Sequence, residues 1–113
     1  MEAVELLRVL GNKYNAEILR AASEPKSAQE LSDELEIPIA TSYRRIEELT
    51  EADLLELSGR EFSDEGRRTK VYRRSVDALE IDFQDRAIEV GVNDRPEVEN
   101  SLADVWRDLK AER

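Results

Sequence analysis

The chain has 113 residues, with 17 basic and 27 acidic side chains, a formal net charge of -10, and neither cysteine nor histidine. That length fits one compact domain with an appendage, since domains commonly run about 100 to 150 residues, and it leaves little room for a two-domain enzyme. The missing residue types exclude thiolate and imidazole metal sites, Cys nucleophiles, His general bases and any Ser-His-Asp triad.

Residues 2 to 10 place Val4, Leu7 and either Val9 or Leu10 at helical spacing, and Gly11-Asn12 is a natural stop, which predicts a first helix. Tyr14, Ile18, Leu19 and Ala22 form the apolar stripe of a second, closed by Ser23-Glu24-Pro25 because Pro25 disfavours helical backbone at Glu24. Ser27-Ala-Gln-Glu30 has capping-box spacing, so a third helix begins there and buries Ala28, Leu31 and Leu35. Ile37-Pro38 makes the turn into a fourth, on which Ser42, Ile46, Leu49 and Ala52 face inward. Pro38 suits a first helical turn, where its missing amide proton would lack a helical partner anyway.

From Leu54 the period drops to two, with Leu55, Leu57 and Phe62 set against Glu56, Ser58 and Glu61. Ser63-Asp64-Glu65-Gly66 is turn chemistry, after which Thr69, Val71 and Arg73 alternate with Lys70, Tyr72 and Arg74, giving a two-stranded ribbon. A second hairpin sets Leu79, Ile81 and Phe83 against Ile88, Val90 and Val92 around Gln84-Asp85-Arg86, with Glu80, Asp82 and Glu89 solvated on its other face. Asp94-Arg-Pro-Glu97 repeats the capping-box spacing before Val98, Leu102, Val105, Trp106 and Leu109, the stripe of a terminal helix.

No apolar run approaches the roughly 18 residues of a membrane span, and the amino terminus lacks the basic start of a signal peptide, so a cytoplasmic location is expected. Charge is unevenly distributed: net -6 over residues 1 to 53, +2 over 54 to 75, and -6 over 76 to 113. Arg67, Arg68, Lys70, Arg73 and Arg74 put five cations and no acid into eight residues of that middle segment, which points to a polyanion as partner. The overall acidity, with 13 Arg against 4 Lys, resembles halophilic archaeal proteins, whose hydrated acidic surfaces keep them soluble where salt screens charge. An acidic protein of ordinary salinity, or a partly disordered tail, is the alternative.

Residues 4 to 75, about two thirds of the chain, resemble the winged helix-turn-helix of ArsR-type transcriptional regulators. The resemblance rests on Leu10-Gly-Asn, Glu17-Ile-Leu-Arg20, Ser27-Ala-Gln-Glu-Leu31, Ala40-Thr-Ser-Tyr-Arg-Arg-Ile-Glu-Glu-Leu49, Ala52-Asp-Leu-Leu55 and Lys70-Val-Tyr72, in that order. It implies an α+β fold, with a three-helix core plus a β-wing over residues 1–75 as the DNA-binding domain. Residues 76–113 would add a β-hairpin and a terminal helix as a dimerisation element.

In such a fold the fourth helix enters the major groove and presents Ala40, Thr41, Tyr43, Arg44 and Glu47, with Arg44 suited to a bidentate contact with guanine. Arg45, about 100° round the helix from Arg44, is placed for a phosphate. Ser27 and Gln29 are placed for backbone phosphates or are simply capping residues, and Arg67, Arg68 and Lys70 of the wing track the duplex backbone. Arg73 and Arg74, nearer the strand end, are candidates for pairing with core acids instead. Leu102, Val105, Trp106 and Leu109 form the expected homodimer interface, or else pack on the chain's own first helix or second hairpin. The expected partners are double-stranded DNA and a second copy of the chain, with no membrane, no cofactor, no metal and no enzymatic activity. The ArsR metal sensors use Cys or His, which this chain lacks, and no effector is legible. The rival reading is a winged-helix module that binds a protein rather than DNA.

Overall fold

A computed structural model describes residues 2–62 and 67–96. The elements follow in the order α1 (Ala3–Gly11), α2 (Asn15–Ala21), β1 (Lys26–Ser27), α3 (Ala28–Leu35), α4 (Ile39–Glu51), β2 (Leu55–Phe62), β3 (Arg68–Arg74), β4 (Val76–Gln84) and β5 (Ala87–Asp94). This is a winged helix-turn-helix followed by a second hairpin. The expected terminal helix and the Ser63 to Gly66 turn lie outside the described residues.

α1 turns a different side inward from the expected one. Leu6 is its buried residue, with Val9 and Leu10 packed beside it, whereas Val4 is exposed. Six of the nine helical positions are apolar, so more than half the circumference is hydrophobic and spacing alone does not choose between Val4–Leu7 and Leu6–Val9–Leu10. Tyr14, expected within α2, instead precedes it as a left-handed residue with φ 77°. That leaves Asn15, fully buried, to donate from Nδ2 to the Val9 carbonyl at 2.7 Å and tie the two helices together.

The capping box at α3 forms as its spacing predicts. The Ser27 hydroxyl accepts from the Glu30 amide and the Glu30 carboxylate accepts from the Ser27 amide, each at 3.0 Å. α3 and α4 both end on a residue with left-handed backbone and a bond back five positions: Glu36 (φ 55°) with Ile37 N to Ser32 O, and Asp53 (φ 58°) with Leu54 N to Leu49 O. At the crossing of α3 and α4 the buried Ser42 hydroxyl donates to the Ala28 carbonyl at 2.8 Å, so a polar group sits in the core already satisfied. Around it Ile18, Leu31, Leu49, Leu54 and Leu55 are almost completely excluded from water.

β1, which the sequence pattern does not announce, joins β3 and β2 in an antiparallel sheet of order β1-β3-β2. β2 and β3 are in register from Leu55–Arg74 to Leu57–Tyr72, then a bulge at Ser58 shifts the pairing to Gly59–Val71, Arg60–Lys70, Glu61–Thr69 and Phe62–Arg68. Leu57, expected inward, is exposed, while its strand neighbour Leu55 is buried in the core. Thr69, Val71 and Arg73 share the expected face, with Val71 and Arg73 buried.

β4 and β5 pair as the alternation predicts, with Leu79–Val92, Ile81–Val90 and Phe83–Ile88 directly opposed around Asp85-Arg86. Glu80, Asp82 and Glu89 are exposed, as expected for the other face.

Candidate nucleic-acid interface

Two elements carry most of the residues expected to face a nucleic acid. α4 has no side-chain cap and no acid in its first turn, so its amide protons and positive dipole end are unopposed by local carboxylates. Ala40, Tyr43, Arg44 and Glu47 fall within about 100° of one another on the helix and are all exposed. Their inward complement is Ser42, Ile46 and Leu49, so burial of one face fixes the aim of the other. The Arg44 guanidinium donates to the Thr41 hydroxyl at 3.3 Å, a weak local bond that leaves most of its five donors available. Arg45 leans instead on Glu48, with 2.7 Å between Nη1 and the carboxylate, and Glu48 also accepts from Asn12. Arg45 is therefore partly neutralised within its own helix.

At the start of α3, Ser27 is buried and committed to the capping box, while Gln29 is exposed and bonded to Asp33 at 3.0 Å. Lys26, beside them, pairs with Glu34 at 3.3 Å.

The wing sorts its charges by face. Paired residues of an antiparallel ladder project to the same side and alternate positions share it, so Arg60, Arg68 and Lys70 stand together while Glu61 stands on the other face with Thr69. Arg60 and Lys70 are directly opposed like charges, an arrangement unfavourable in isolation and relieved by an anion. Among the described residues no ion pair holds Arg60, Arg68 or Lys70, and all three are exposed, as is Arg67. Arg60 was not among the residues singled out from sequence, because the bulge that brings it opposite Lys70 leaves no mark in the pattern.

Arg73 and Arg74 belong to the fold. Arg73 is 5% exposed; its Nε meets Glu56 at 2.8 Å and its Nη2 donates to the Pro96 carbonyl. Arg74 donates to the Val76 and Leu19 carbonyls at 2.8 and 3.3 Å, covering the carboxyl end of α2. Arg95 joins them, reaching Ser23 O at 2.9 Å and Asp77 at 3.7 Å. Its pKa is pushed below the ordinary guanidinium value, first by burial and then by repulsion from Arg73 and Arg74, against the opposing pull of Asp77 and Glu56.

Leu102, Val105, Trp106 and Leu109 lie outside the described residues. Among those described, no helix is long and apolar enough to cross a membrane. No group of three or more acidic side chains among them is arranged to hold a metal ion.

No curated protein matches the chain. Residues 10–58, spanning the end of α1 through the first half of β2, match the family model described as a helix-turn-helix domain, and this similarity supports a DNA-binding regulator.

Proposed function

We propose that the chain is a sequence-specific, double-stranded-DNA-binding transcriptional regulator of the ArsR-like winged type, acting as a homodimer and adapted to a saline, archaeal cytoplasm. The observation that carries the reading is the gathering of Arg60, Arg68 and Lys70 on one face of the wing, with no ion pair among the described residues, in a chain of net charge -10. So acidic a surface repels DNA nearly everywhere else, which orients approach. Arg44, with Tyr43 and Thr41, would read base edges from the first turns of α4, a bidentate Arg–guanine contact contributing about 1 to 3 kcal/mol of discrimination. Arg45, Gln29 and Ser27 with its backbone are the candidates for phosphate contact beside it, and Arg67, Arg68 and Lys70 for the wing. A twofold dimer joined through Leu102, Val105, Trp106 and Leu109 would read half-sites about 34 to 36 Å apart.

The test is DNA binding across a salt series, comparing the region upstream of the protein's own coding sequence with a scrambled duplex. Wild type should prefer the specific duplex, Arg44→Ala should erase that preference, and Arg67→Ala/Arg68→Ala should weaken both duplexes alike with a shallower salt dependence. A folded protein that binds neither duplex at any salt concentration would overturn the reading in favour of a protein partner.

A further inference from the structure

The leading end of α4 is apolar where the rest of its outward face is polar. Pro38, Ile39 and Ala40 are consecutive and all exposed, Ile39 at 38%, whereas Ile37 just before them is buried at 4% and marks where the core ends. The two hydroxyls of that first turn already have partners: Thr41 accepts from Arg44 at 3.3 Å, and the buried Ser42 donates to the Ala28 carbonyl at 2.8 Å. Ile39 and Tyr43, four residues apart, adjoin on the helix surface, so the Tyr43 ring, 59% exposed, extends the apolar strip toward Arg44. A lone surface isoleucine needs no explanation. An apolar strip at the leading end of the helix that carries Arg44, with no acid in its first turn, does need one, because the amino-terminal residues of such a helix are those that meet base edges.

We propose that Ile39 and Ala40 read the C5-methyl group of thymine in the major groove, which makes them specificity-determining residues alongside Arg44. The inference rests on the DNA-binding reading above and names the base chemistry that the leading end of α4 selects. Guanine N7 and O6, adenine N7 and N6, cytosine N4 and thymine O4 all call for a hydrogen-bonding partner in that groove, and the thymine methyl is the apolar group among them. In unmodified duplex DNA thymine alone carries it. The Ile39 and Ala40 side chains hold no donor and no acceptor. A polar edge placed against them loses its water and gains no partner, whereas a methyl group gains van der Waals contact and sheds water it bound only weakly. Selection therefore works in both directions, toward thymine and away from guanine or cytosine at that step. Burial of one methyl corresponds to about a fourfold change in affinity for each methyl contacted.

Uracil is thymine without that methyl, so the test deletes a single group from the DNA. The region upstream of the protein's own coding sequence and its scramble are each prepared with dTTP or with dUTP. Binding of wild type, Ala40→Ser and Ile39→Ser/Ala40→Ser is then followed by fluorescence anisotropy. Wild type should bind the thymine form of the upstream duplex at least about threefold more tightly than its uracil form, with no such difference on the scramble. Ala40→Ser should narrow the ratio, and the double variant should bring it to about one. A wild type that prefers the upstream duplex to its scramble but binds its thymine and uracil forms alike would overturn the proposal and leave the DNA-binding reading intact. A ratio unchanged in the double variant would also overturn it, by placing the methyl contact elsewhere. A wild type with no preference for the upstream duplex would remove the proposal together with the reading it rests on. Should the double variant fail to fold by circular dichroism, Ala40→Ser, at an exposed site, and the wild-type comparison still decide.

Discussion

Arg73 and Glu56 form an unequal pair, and removing either partner should have opposite consequences to those its charge alone implies. The Arg73 side chain is 6% exposed and the Glu56 side chain 43% exposed, at 2.8 Å. In Glu56→Ala the guanidinium stays buried with the Pro96 carbonyl as its remaining acceptor among those described, and with Arg95 close enough to repel it. A hydrogen bond to a charged group contributes about 1.5 to 3 kcal/mol, and discounting for the half-exposed carboxylate leaves a cost of about 1 to 2 kcal/mol. In Arg73→Met the apolar stem is kept, the carboxylate relaxes into water, and the cost is about 0 to 1 kcal/mol, since replacing a buried ion by a well-packed apolar group is often near neutral. With a urea m-value of about 1 to 3 kcal/mol/M, the Glu56→Ala midpoint should fall by roughly 0.5 to 1 M while that of Arg73→Met moves less. Urea titration followed by circular dichroism reads both, and the double variant should resemble Arg73→Met alone. An Arg73→Met protein less stable than Glu56→Ala would refute the argument. So would a DNA salt slope reduced by about one phosphate in Arg73→Met, since that would put Arg73 on the duplex.

Arg60→Ala/Arg68→Ala/Lys70→Ala should make the slope of log affinity against log salt shallower by about 2.7, three phosphates at 0.9 each; an unchanged slope in filter binding or fluorescence anisotropy would place the wing off the DNA. Ser42→Ala should cost about 1 kcal/mol in thermal unfolding for the lost bond to the Ala28 carbonyl, and the larger Ser42→Leu should cost more, because the site is close-packed. Glu36→Gly relieves left-handed backbone at the end of α3 and should leave stability unchanged or raise it by up to about 1 kcal/mol. A loss above that in urea titration would mean the Glu36 side chain has a structural role.

Local chemistry made much of the fold legible. The Ser27–Glu30 capping box needs only four residues, and the α4 stripe of Ser42, Ile46 and Leu49 repeats a simple spacing over thirteen. The same holds for the β4–β5 hairpin, whose alternation fixes both partners and faces. Where apolar residues crowd a short helix, as in α1, the pattern loses its phase, and Leu6 was hidden behind Val4 and Leu7. β1 depends on pairing Lys26 with Tyr72 far along the chain, which no local propensity encodes. The candidate site divides similarly. α4 exposes Ala40, Tyr43 and Arg44 by the periodicity that buries its other side, whereas Arg60 joins the wing cations through an irregularity of pairing. Arg73 and Arg74 belong to the same basic run, but their place near the strand end already set them apart: Arg73 pairs with Glu56 as expected, while Arg74 meets backbone carbonyls rather than an acid.

The bulge at Ser58 acts as a rectifier of charge. Up to Leu57 the numbers of paired β2 and β3 residues sum to 129, and from Gly59 onward to 130. Continued without the bulge, with Ser58 itself paired to Val71, the ladder would set Glu61 across from Arg68 and Arg60 across from Thr69, mixing acid with base and leaving the ribbon almost without polarity. One inserted residue moves Arg60 to join Arg68 and Lys70 and sends Glu61 to the far side. The wing's positive character is thus a property of the ladder's parity as much as of its composition, and a ladder that took Ser58 into regular pairing with Val71 would erase it without the loss of a charged group.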